Sequence, residues 1–164
     1  MEKLDEDVRA ARLLGAQDKA AELFAAIEER GLIRPGAGER QVSDEIRELA
    51  ADLLGVTRHW HKRIVRGGEN IPATARDNPP DRVIADDDIV FVDLGPLFEE
   101  WEADFGRTFV LGEDPRKLAL RNDLPKVWDA ARAHFEATAD ITGAQLFEHV
   151  VGLSRTAGWE FGGA

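Results

Sequence analysis

Residues 86 to 95 read DDDIVFVDLG, and the alternation inside them constrains the fold more than any other stretch. Ile89, Phe91 and Asp93 point to one side of a strand, and Val90, Val92 and Leu94 point to the other. Aspartate is disfavoured in strands, so its place in the row of Ile89 and Phe91 calls for a reason. A second strand-like stretch, EWEADFGRTFVL at 100 to 111, is expected to be irregular around Gly106 and brings in Asp104. A hairpin centred near Phe98 and Glu99 would set Asp93 directly across from Asp104.

Two carboxylates facing each other on a sheet repel, and partial burial raises the cost. A divalent cation offsets it, and hard oxygen ligands suit Mn²⁺, Mg²⁺, Co²⁺ or Zn²⁺. A shared proton would also do so, as would an arginine such as Arg107, or plain solvation of that face. Between Val83 and Gly106 there are eight acids and no Lys or Arg. Asp86, Asp87 and Asp88 read as a solvated turn, and Glu99, Glu100 and Glu102 as the hairpin tip or its outer face.

Helical periodicity governs the flanks. Over 8 to 30, Leu13, Ala16, Ala20, Leu23 and Ile27 share a face; over 40 to 54, Val42, Ile46, Leu49 and Leu53 do, with Gly55 as the stop. Asp114-Pro115 opens a helix to about 137, which Pro125 bends or splits, with Leu118, Leu124, Trp128, Ala131 and Phe135 inward. Thr142 and Gln145 form a capping box for a last helix, and Trp159 and Phe161 alternate as a strand stub. The order predicts an α+β fold, an antiparallel sheet covered by helices. At 164 residues it is read as one domain, with residues 1–7 loose.

Other classes fall away. With 32 acidic against 21 basic residues the net charge is -11, which opposes nonspecific binding to nucleic acid or anionic membrane. Cysteine is absent, so disulfides, thiolate ligands and cysteine nucleophiles are excluded. MEKLDEDVRA is no secretory signal, and no apolar run spans a bilayer, which gives a cytoplasmic expectation. No phosphate-binding glycine loop or nucleophile elbow is present. The exception to the acidity is RHWHKRIVR at 58 to 66, with four Lys or Arg and two His. A strand through Trp60 to Val65 would put His59 and His61 on one face, for pairing with the acidic regions, substrate contact or metal binding. His134 and His149 are expected to be packing or partly exposed residues of the late helices.

The stretch DDDIVFVDLGPLFEEWEADFGRTFVLG resembles the metal-binding hairpin of the pita-bread metallopeptidases, the group of methionine aminopeptidase, aminopeptidase P, prolidase and creatinase. The helix–RPG–helix before it, VRGGEN, and LPKVWDAARAHFE after it resemble the Xaa-Pro-type branch, so the likeness runs from about residue 8 to 164. It implies a partial pita-bread fold and divalent metal ions, manganese first, with cobalt, zinc, iron or magnesium as alternatives. Asp93 would bridge two metals and Asp104 would bind one. The implied activity is hydrolysis of the N-terminal bond of a peptide or small amide through metal-activated water.

Two departures qualify what the resemblance implies. The family's substrate-contacting histidine follows a Gly-x-Asn turn, whereas GGENIPATAR has none at Pro72, Ala73, Thr74 or Ala75; His59 or His61 would have to reach the site instead. The remaining ligands, one histidine and two glutamates, lie beyond a stretch like WEFGGA. With two of five ligands, metal binding is expected to be weak and autonomous peptidase activity absent. The chain would then be the front part of a longer enzyme or a truncated homologue. The other expectation is a non-catalytic interaction module, with a partner or second copy covering an exposed sheet edge.

Overall fold

The computed structural model describes residues 5–74 and 76–162. The expected looseness at 1–7 falls mostly on residues 1–4, outside that range; Asp5 instead caps a helix, its carboxylate accepting from the amide of Asp7. Two units divide at Gly112 and Glu113.

In the first unit, α1 (Glu6–Glu29) buries Ala16, Ala20, Leu23, Phe24 and Ile27, the periodic face read from sequence, while Leu13 is exposed. The turn after it docks on a distant segment: Gly36 donates to Ile84 and Glu39 to Arg82 through backbone amides. Then α2 (Glu39–Leu54) buries Val42, Ile46, Leu49 and Ala50 and stops at Gly55, whose φ of 67° suits a residue without Cβ. Strand β1 (Ile64–Gly67) is followed by a 3-10 turn over Gly68–Asn70. The predicted strand from Trp60 is thus displaced: residues 60 to 63 are irregular.

Strand β2 (Ile89–Leu94) lies between β1 and β5 (Phe105–Val110), antiparallel to both. Between them β3 (Leu97–Phe98) pairs with β4 (Trp101–Glu102) around a tight turn at Glu99 and Glu100. Val90, Val92 and Leu94 are fully buried against the helices, together with Val65. Burying such a side chain stabilises a fold by roughly 1.5–3 kcal/mol, so this face anchors the unit. The opposite row, with Ile89, Phe91 and Asp93, is only partly buried.

Two local expectations are corrected. The hairpin breaks at Ala103 and Asp104, not at Gly106, which pairs regularly. Asp88 is buried rather than solvated, because its carboxylate accepts from the Arg82 guanidinium and from the amide of Ala85.

The second unit is a helical pair. In α3 (Pro115–Ala137) Asp114 caps the first turn, and Pro125 sits inside without splitting the helix. The inward face read for α3 is overturned: Leu124, Trp128 and Phe135 are exposed, and no residue of α3 is buried. The capping box of Thr142 and Gln145 opens α4 (Gly143–Thr156). Residues 159 to 161 form no strand; the Trp159 indole donates to the Asp123 carboxylate at 3.0 Å. The His134 and His149 rings stack at 3.7 Å.

Candidate metal centre

The site is built on the half-buried face of β2. Asp93 pairs with Ile64 on one side and with Gly106 on the other. The hairpin register is therefore shifted by two residues from an Asp93–Asp104 pairing. A shift of one residue would have turned Asp104 to the core, but a shift of two keeps the face. Asp104 lies where the backbone leaves the ladder between β4 and β5, diagonal to Asp93, and is largely exposed.

The segment ahead of β1 completes the arrangement. It crosses the end of β2: the Leu97 amide donates to Arg58 at 3.0 Å and the Trp60 amide to Gly95 at 2.9 Å. The Trp60 indole donates to the Ala103 carbonyl at 3.0 Å, pinning the kink before Asp104. Gly95 is required by this crossing, since a Cβ there would lie 2.3 Å from the His61 ring and 2.7 Å from the Trp60 indole nitrogen. The His61 ring meets the Trp60 ring edge-on at 4.5 Å.

His61 Nε2 thereby comes to 3.8 Å from Asp93 Oδ1 and 3.8 Å from Asp104 Oδ1. These three donor atoms lie within 4.8 Å of one another. Burial pushes the Asp93 carboxyl above the usual carboxylate range, and the Asp104 charge adds to this while His61 opposes it. The arrangement fits a hard or borderline cation: two carboxylates and an imidazole converge, and the cation would offset the burial of negative charge.

His59 does not join them. It bridges to Pro96, and its Nε2 is buried without a hydrogen-bond partner. Burial, then the charges of Arg63 and His61, lowers its pKa to about 4, so it is neutral near pH 7. Arg107 is no counterion for the pair, because its guanidinium lies on the other face, 4.2 Å from the Phe105 ring centre. The other basic residues act as latches: Arg66 donates to Ala73 and Asp77 carbonyls, Lys62 to Asn78, and Arg63 to Ser43. Asn70 of the Gly-x-Asn turn is also structural, donating to buried Glu39 and to Pro80. Ala75 lies outside the described residues.

Both carboxylates stand out in the sequence, whereas nothing local there distinguishes His61 from His59. The signal lay in Gly95, which marks a close crossing after an otherwise regular strand.

A family model for Metallopeptidase family M24 matches residues 11–162. The chain belongs to that family. No curated protein matches it. Among solved structures it is similar to a dipeptidase from Pyrococcus horikoshii OT3, with 26% identity and a TM-score of 0.73 over 94% of this chain and 41% of that one. It is also similar to an X-Pro aminopeptidase from Thermotoga maritima MSB8, at 18% identity and TM-score 0.78 over 94% and 43%. An Xaa-Pro dipeptidase from Bacillus anthracis matches at 24% and 0.72, over 95% and 42%. The fold is accordingly α+β and pita-bread, as read from sequence, and the chain spans about two-fifths of the length of these solved structures. Among the described residues no helix is long and apolar enough to cross a membrane.

Proposed function

We propose that this M24 chain carries the carboxylate part of a divalent-metal site for hydrolysis of the N-terminal bond of a peptide, of the Xaa-Pro type, in the cytoplasm. The observation that carries the reading is the convergence of Asp93 and Asp104 on one face of the β2–β5 hairpin, with no arginine or lysine paired to either among the described residues. Asp93 is held by the ladder on both sides and fixes a position; Asp104, more exposed, can adjust to the ligand. A divalent ion held there supplies Lewis acidity toward a substrate carbonyl and acidifies water. Manganese is the first choice, with cobalt, zinc, iron or magnesium as alternatives.

The donors that converge among the described residues are too few to fill a coordination sphere, so turnover by the 164-residue chain alone is not expected. The test is an assay of this chain with Mn²⁺ and an Xaa-Pro dipeptide or tripeptide, beside calorimetric Mn²⁺ titration. The expected result is measurable Mn²⁺ binding, lost in Asp93→Ala, without robust hydrolysis. Robust turnover abolished by Asp93→Ala overturns the inactivity, and binding unchanged in Asp93→Ala overturns the site.

A second reading, a non-catalytic module that pairs with a partner or a second copy, is favoured by exposed Trp128, Phe135 and Phe147 on α3 and α4. Light scattering that gives a dimer, together with no Mn²⁺ binding, would support it over the first.

A further inference from the structure

We infer, resting on the metal-site reading above, that His61 is a third protein donor to the ion held by Asp93 and Asp104, binding through Nε2. The site then presents two carboxylates and one imidazole, and takes Co²⁺ or Zn²⁺ ahead of Mg²⁺.

The ring's other nitrogen decides which atom is available. His61 Nδ1 lies 2.8 Å from the Lys62 carbonyl. A carbonyl only accepts, so Nδ1 carries the proton, and in the neutral ring the lone pair sits on Nε2. That lone pair is the atom turned to both carboxylates. At 3.8 Å from each it makes no hydrogen bond to either. A lone pair and two carboxylate oxygens around one point repel each other, so the point calls for a cation; a proton on Nε2 offsets the charge, whereas a metal ion serves all three donors at once.

The spacing suits an ion. Nitrogen and oxygen donors bind such cations at about 2.0–2.2 Å, which places neighbouring donors roughly 3–3.6 Å apart. Contraction of a few tenths of an ångström from 3.8 Å brings Nε2 into that range of each carboxylate, and the two carboxylate oxygens, within 4.8 Å of each other, close the rest through the exposed Asp104 side chain. The ring is also held in place rather than left to swing. Its backbone is pinned through Trp60 to Gly95, it packs edge-on with the Trp60 indole, and the close approach depends on Gly95 having no side chain. The Nδ1–H to carbonyl bond is the support that metal-binding imidazoles commonly use to fix tautomer and orientation. Imidazole favours Zn²⁺ and its neighbours, whereas Mg²⁺ prefers an all-oxygen sphere, which sets the selectivity.

The experiment titrates the 164-residue chain with Co²⁺, Zn²⁺ and Mg²⁺ by calorimetry and reads imidazole nitrogens by long-range ¹H–¹⁵N spectra with Zn²⁺. On Zn²⁺ addition the His61 Nε2 resonance is expected to move to a ligated position while Nδ1 keeps its proton and His59 stays put. His61→Ala is expected to weaken Co²⁺ roughly tenfold or more and Mg²⁺ far less. An unmoved His61 Nε2, with binding still lost in Asp93→Asn, overturns the His61 assignment and leaves the carboxylate site standing. Binding that survives Asp93→Asn unchanged overturns both. The nitrogen spectrum uses the unaltered chain, so the His61 assignment stands or falls even where a variant fails to fold.

Discussion

The helices before Gly112 and those after Glu113 have similar lengths and apolar content but bury them differently. On one side, α1 and α2 seal Leu23, Ile27, Val42 and Ile46 against the buried row of β2. On the other, α3 and α4 leave Leu124, Trp128, Phe135 and Phe147 exposed, and the one buried residue described there is Ser154. The difference shows that helical periodicity marks where a face could pack, while a sheet or other surface decides whether it does. The first unit holds the core and the candidate site.

Substitutions can break that comparison. Ile46→Ala is expected to cost about 2–5 kcal/mol in chemical unfolding, as buried Ile-to-Ala changes do. Trp128→Ala, on an exposed face, is expected to stay within about 0.5 kcal/mol. A loss at Trp128 equal to that at Ile46 would mean the second unit has a core of its own.

Acid should separate the units next. His59 has its pKa lowered from 6.5 to about 4. A lowered folded-state pKa means stability that is complete above pH 6.5 and lost as pH falls through about 4. Because the ring is only half-buried, screening reduces the effect to about 1–2 kcal/mol. Unfolding of the first unit followed from pH 7 to 4 is expected to show this loss, and His59→Gln to flatten it. An unchanged slope in His59→Gln assigns the acid sensitivity elsewhere.

The smallest effect lies in the second unit. Thr142→Ala removes the capping box of α4 and is expected to cost about 1 kcal/mol. Hydrogen exchange should show faster amides at the start of α4 and unchanged protection in β2. Faster exchange in β2 would show the units to be one cooperative block.

Much of this arrangement is legible in the sequence because it is local. The buried face of α1, the stop at Gly55, the Asp114 and Thr142 caps and the alternation of Ile89–Leu94 all follow from spacing within a few residues. The register differs by two from the expected one because its turn falls on Glu99, at φ 60° without a glycine or asparagine to announce it. Asp88 reads as solvated because Arg82, its partner, lies across a loop. The two aspartates are visible as a pair, since one hairpin carries both. His61 is not, because only the long-range crossing at Gly95 separates it from His59.

That crossing also has a kinetic consequence. Asp93 and Asp104 are eleven residues apart in one hairpin, whereas His61 arrives from 32 residues upstream of Asp93. Closing the longer loop costs more chain entropy, and contacts of greater sequence separation slow folding. The hairpin that gathers the carboxylates is therefore expected to close ahead of the crossing that sets the imidazole over them. An ion present during refolding would meet a two-armed site before it meets a three-armed one, and would leave the earlier one faster.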